Sequence, residues 1–196
     1  MSGFKIELKG LDQVLKEFDI SGIRDELKVE LETFGRNVER QAKDLAPVDE
    51  GFLKSMIYHT VTEEGNKINI EVGCNTDYAA YVEFGTRKFA AAYVGTLPAD
   101  WQVFAAKYKG KGSGGSFNDF VMSIMAWVQR KGIGSLTTKS GNRSNSAASL
   151  DAMQQAAYWI ALNIIRKGIK PHPFLYPAVR DNEKLLVDRL RQLLNA

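Results

Sequence analysis

The strongest constraint on this chain is a single apolar stripe. Ile23, Leu27, Leu31, Phe34, Val38, Ala42 and Leu45 follow one another at steps of 4, 4, 3, 4, 4 and 3. Those steps keep every member on one side of an α-helix of about six turns. Ser21 is placed to cap its start. Pro47 stops it, because the residue before a proline is pushed out of the helical region. A helix that is apolar on one side must cover something. Only about three heptads are present, so the spacing predicts a long helix lying on a sheet rather than a coiled coil.

The sheet itself is legible. Phe4-Lys5-Ile6-Glu7-Leu8-Lys9 alternates apolar and charged residues, the period of a half-buried strand. Ile57, His59 and Val61 alternate with Tyr58, Thr60 and Thr62; Ile68, Ile70, Val72 and Cys74 alternate with Asn69, Glu71 and Gly73. With Glu64-Gly65-Asn66 as a turn, these two runs predict an antiparallel hairpin. Leu11, Val14, Leu15 and Phe18 predict a short helix over 11–18. Asp49 is placed to cap another over 50–55, and Tyr78–Phe84 predicts a third, closed by Gly85.

Beyond residue 86 the patterning weakens. Residues 106–116 hold three lysines and four glycines and predict a flexible loop. Phe117–Arg130 and Leu150–Lys167 predict helices, and the Ser, Thr, Asn and Gly of 135–149 predict a mobile segment between them. Pro171, Pro173 and Pro177 predict an extended arm leading into a last helix with Val179, Leu186, Leu190, Leu193 and Leu194 on its apolar side. The whole reads as α+β: a small antiparallel sheet packed against a long helix, with an inserted helical and loop region and a C-terminal helix. The expected organisation is one domain over 1–196 carrying an insertion over 87–168.

Charge singles out that insertion. Residues 1–98 carry 12 basic and 17 acidic side chains, whereas 101–170 carry 10 basic and 2 acidic, although the chain as a whole is only +3. Lys107, Lys109, Lys111, Lys139 and Arg143 are the candidates to face DNA. Tyr108 is the one aromatic inside a basic cluster, which argues against base stacking and leaves non-specific phosphate contact as the nucleic-acid reading.

Catalytic chemistry finds no foothold. The run Gly110–Ser116 lacks the order of a phosphate loop. His59 and His172 have no metal-ligand spacing with each other or with Cys74, and no nucleophile motif is present. Asp49 and Glu50 read as a helix cap rather than an acid–base pair. No metal and no cofactor is expected. Cys74 is the single cysteine, no run of about 18 apolar residues spans a membrane, and the N-terminus lacks the apolar core of a signal peptide, so synthesis in a cytoplasm is expected. Glu83, among aromatics, reads either as a solvated partner of Arg87 one helical turn on, or as half of an ion pair between subunits.

Three strings carry a resemblance. Ala46-Pro47-Val48-Asp49-Glu50-Gly51-Phe52-Leu53, Tyr78-Ala79-Ala80-Tyr81-Val82-Glu83-Phe84-Gly85-Thr86 and Pro173-Phe174-Leu175-Tyr176-Pro177-Ala178 occur in this order. In this order they resemble the signature of the neck and tail-completion proteins of long-tailed bacteriophages, which include minor tail proteins of the lambdoid Z type. The resemblance spans about 20–178, and the basic insertion is its main departure. It implies a non-enzymatic virion protein that forms a ring at the head–tail joint or tail end, made in the host cytoplasm. The implied partners are further copies of itself, engaged on assembly, and other neck, tail-terminator or tail-tube proteins. Contact with genomic DNA is non-specific, and no membrane is involved. On this reading Tyr78, Tyr81, Glu83, Phe84 and Arg87 sit at an interface, and Pro173, Phe174 and Leu175 form a docking segment able to swap onto a neighbour.

Overall fold

The computed structural model describes residues 4–7, 24–64, 67–108 and 116–194. The expected helix over 11–18, the cap at Ser21, the turn at 65–66 and the glycine run 109–115 lie outside the described residues. The chain divides into two compact units, Met1–Gly85 with Lys170–Ala196 and Thr86–Ile169.

In the first unit three strands, β1 (Phe4–Glu7), β2 (Ile57–Glu64) and β3 (Lys67–Cys74), pair antiparallel in the order β1-β3-β2. Cys74 lies opposite both Phe4 and Ile57 in register. Phe4, Ile57, Ile68, Ile70, Val72 and Cys74 are buried, so the alternation resolves into one apolar face. Long helix α1 (Arg24–Leu45) covers that face with Leu27, Leu31, Phe34, Val38 and Ala42. Each large side chain buried this way stabilises the fold by about 1.5–3 kcal/mol. The predicted stripe ends one step early: Leu45 is 44% exposed and Ala46, at the next i+4 position after Ala42, is buried in its place.

Gly35 sits inside α1, where a glycine costs about 1 kcal/mol relative to alanine. The sheet explains it, because a Cβ there would stand 2.6 Å from the ring of His59 on β2. His59 bridges two carboxylates of α1, with Nδ1 against Glu39 and Nε2 3.4 Å from Glu32; Lys43 also bonds Glu39. Burial pushes the Glu39 carboxyl up, but its bonds to Lys43 and His59 bring it below the ordinary value. A depressed folded-state pKa adds stability above the unfolded value, about 4.3 for glutamate, and that stability is lost as pH falls through the folded value. Denaturant unfolding across the acid range is therefore expected to show a limb that Glu39→Gln flattens. Parallel curves for the two proteins would contradict the assignment.

Helix α2 (Phe52–Ser55) is short, and its N-cap is Gly51 in the left-handed region at φ 82, with no side-chain cap. The cap expected from Asp49 is thus replaced by a backbone turn. Helix α3 (Ala79–Phe84) follows the sheet and ends at Gly85, φ 72. The C-terminal helix, here α8 (Leu175–Leu194), packs on α1. Ala178, Val179 and Leu186 are buried, and Gln41 of α1 donates to Asp181 at 2.9 Å and accepts from Asn182 at 2.8 Å.

The second unit contains α4 (Arg87–Val94), α5 (Ala99–Ala106), α6 (Phe117–Lys131) and α7 (Ala147–Lys167). A capping box between Ser116 and Asp119 starts α6, and Gly132 at φ 68 ends it. α6 and α7 pair around Val128, Met153 and Ala157. The segment joining them is not the mobile stretch its composition predicts. Thr137 bridges Arg143, Thr138 donates to Asn142 at 2.8 Å, and Ser144 donates to Leu136 at 2.8 Å. Arg143 then donates to the carbonyls of Arg130 and Lys131 at 3.2 Å each, covering acceptors that the end of α6 leaves open. Small polar residues here build a tight hairpin by side-chain and backbone bonding.

Candidate functional site

The second and third sequence strings meet at one carboxylate. α3 carries Glu83 at 0% exposure, a costly place for a carboxyl unless it is fully hydrogen-bonded. Its Oε2 accepts from the backbone N–H groups of Phe174 and Leu175, both at 2.8 Å, and its Oε1 accepts from Tyr176 at 2.9 Å. These amides open α8. A helix start leaves its first N–H groups without partners and carries partial positive charge, so an anion fits there. The next residue, Pro177, has no N–H to satisfy. One carboxylate therefore meets every donor this helix start presents over 174–177.

Local structure delivers the two halves. Residues 170–173 form neither helix nor strand, and His172 donates its N–H to Val82 at 2.7 Å. This holds the arm alongside α3. Phe4 packs edge-to-face on Phe84 at 5.8 Å and against Phe174 at 6.3 Å, closing an apolar wall beside the carboxylate. Burial pushes the Glu83 carboxyl up, while the amides of Leu175, Phe174 and Tyr176 pull against that rise. With both oxygens bound to backbone N–H groups and the side chain shut away from solvent, Glu83 locks the start of α8 to α3.

Residues 9–85 match the family model HK97-gp10_like, described as "Bacteriophage HK97-gp10, putative tail-component". The similarity is to this segment, less than half of the chain. The matched family is one of phage tail components, a structural class, in line with the tail resemblance carried by the three strings. No curated protein and no solved structure matches the chain. The HK97-gp10-like segment ends at Gly85, where the chain passes into the second unit. It includes Glu83 and leaves out the three amides that Glu83 binds.

The residues expected at an interface separate into two groups. Glu83, Phe84, Phe174 and Leu175 are buried, so their contacts are within the protomer, and the expectation of a solvated Glu83 gives way. The physical reason is the partner: a helix start at distant sequence positions neutralises a charge that local context reads as solvent-facing. Tyr78 is exposed, Tyr81 and Pro173 are half-buried, and Arg87 is exposed at φ 53 at the start of α4. These four retain surface.

Of the candidate DNA-facing residues, Lys107 is exposed with its ammonium 5.8 Å from the Phe104 ring, and Lys139 is exposed. Arg143 is spent on the end of α6, and Lys109 and Lys111 lie outside the described residues. The charge division sharpens on the structural boundaries. The second unit holds 11 basic and 3 acidic residues, +8, and the first holds 15 basic and 20 acidic, −5. Among the described residues no three His, Cys, Asp or Glu side chains gather as a metal site, and no helix is long and apolar enough to cross a membrane.

A hidden lock of this kind carries a readable signal. A glutamate set between Val82 and Phe84 is a carboxylate in apolar company, and Pro-Phe-Leu-x-Pro over 173–177 marks a helix start with no Ser, Thr, Asp or Asn to cap it.

Proposed function

We propose that this chain is a virion structural protein that completes the tail at the head–tail joint or tail end, assembling there as a ring. The observation that carries this reading is the Glu83 lock. It turns two of the three tail-type strings into internal scaffold. Tyr78, Tyr81, Pro173 and Arg87 remain at the surface to meet neighbouring subunits. Partners on this reading are further copies of the chain and other neck, tail-terminator or tail-tube proteins. Quantitative mass spectrometry of whole virions, isolated heads and isolated tails tests it. A few to a dozen copies per particle at the joint is the expected result, and absence from virions would end the proposal.

The +8 charge of the second unit favours one other reading, non-specific contact with genomic DNA. Binding to duplex DNA would then weaken steeply with salt, by close to one log unit per released counterion for each log unit of salt. Binding that ignores ionic strength would remove this reading.

A further inference from the structure

The second unit exposes aromatic surface that its own core does not use. Along α7, Met153 and Ala157 pack against α6 and Ala161 is buried on the same side, whereas Trp159 points to the opposite side and is 59% exposed. Tyr158 is 44% exposed and packs edge-on between Phe117 at 5.7 Å and Trp159 at 6.0 Å. The exposed indole is thus held by neighbours rather than loose. Arg166 lies two turns further along the same side as Trp159 and is exposed. Tryptophan, tyrosine and arginine are the residues that most often dominate protein interfaces, and a contiguous aromatic patch on a small unit marks a contact surface.

The first unit presents a receiving shape. Between α1 and α8 lies a groove of ≈ 340 Å³ lined by Phe34, Leu185 and Leu186, with Glu30 and Arg189 also on its walls. Leu185 is 52% exposed, so apolar surface lies open on this wall. This unit is acidic at −5, and Trp159 belongs to a unit at +8. A second copy of the same chain therefore supplies both the shape and the charge that each surface lacks.

We propose that Trp159 of one copy seats in the α1–α8 groove of a second copy, with Arg166 against Glu30. This rests on the tail-component reading and names its self-contact. Knob and groove belong to different units of the chain, so one copy can give its knob to a second and receive that of a third. Repeated in this way, the contact closes into a ring or runs on as a filament.

The test uses the full chain. Sedimentation velocity is expected to show self-association that weakens with salt and that Trp159→Ala weakens about thirtyfold. Trp159 is exposed, so this variant is expected to fold like the parent. Glu30→Lys and Arg166→Glu should each weaken association, and the two together should restore part of it. Mixing the single variants Gln155→Cys and Arg189→Cys under oxidation should yield a cross-linked pair of chains, free or in assembled particles. A chain that stays monomeric and gives no such cross-link in either setting overturns the proposal. So does a Trp159→Ala protein that associates like the parent, or one that loses only duplex-DNA binding. Tails that contain the chain but lack the cross-link sink this contact and leave the tail role standing, whereas virions without the chain sink the tail role itself.

Discussion

Glu83→Ala is expected to be among the most destabilising single substitutions in this protein, by about 2–5 kcal/mol. Removing the carboxylate leaves three N–H groups at a buried helix start without acceptors, and each such group costs about 1–3 kcal/mol, less whatever water can recover. Glu83→Gln should cost less. Its amide oxygen can still serve Phe174 and Leu175, but its NH2 group would face the N–H of Tyr176. Glu83→Asp should resemble alanine more than glutamine, because the shorter side chain falls back from all three amides. Denaturant unfolding of the three variants gives the ranking directly. The lock reading fails if alanine and glutamine are equally mild, or if aspartate substitutes freely. The pH dependence has the opposite sign from that of Glu39. A raised folded-state pKa contributes stability that is fully present below the unfolded glutamate value and declines as pH rises through the folded value. Glu83→Gln should therefore remove a slope on the alkaline side of the carboxylate range, where Glu39→Gln acts on the acid side.

The second large effect is expected at Gly168, which ends α7 at φ 88. The N–H of Thr86 donates to Ile169 at 2.9 Å, and that of Ile169 donates to the Thr86 hydroxyl at 2.8 Å. The two ends of the second unit are thereby stapled side by side. A Cβ on residue 168 would come 2.4 Å from the Thr86 carbonyl oxygen, a backbone atom that cannot swing away. The left-handed backbone adds its own strain for any other residue, about 1–3 kcal/mol. Gly168→Ala should destabilise the second unit by about 3 kcal/mol or more and open both staple bonds. Hydrogen exchange at the amides of Thr86 and Ile169 reads this locally, and those amides should lose protection before the β2–β3 ladder does. Unchanged exchange at both positions would show that the staple does not hold the unit's ends.

Both devices would bear on the proposed self-contact. The lock fixes α8 against α3, and so fixes the wall of the groove that α8 builds with α1. The staple holds together the ends of the basic unit that carries Trp159. A subunit whose contacts are built on rigid pieces loses less entropy when it joins a ring.

Much of the architecture was decided by periodicity. The step pattern of α1, the alternation of β2 and β3 and the proline before α8 each act through neighbours a few residues away, and such signals need no knowledge of the fold. The match of residues 9–85 to a tail-component family belongs with them, because it too is read from the sequence. Tertiary structure decided the rest. Glu83 looked like a surface charge because its partners are 91 to 93 residues away. The glycine at position 35, inside a helix, finds its reason only where His59 comes beneath it. Residues 135–149 looked mobile because their order depends on Arg143 reaching the end of α6 and on Ser149 accepting from Leu136 at 3.1 Å. For Glu83 and for residues 135–149 the deciding energy comes from satisfying polar groups at a distance in sequence, and for Gly35 from the room the His59 ring needs; composition does not encode which distant group will be there.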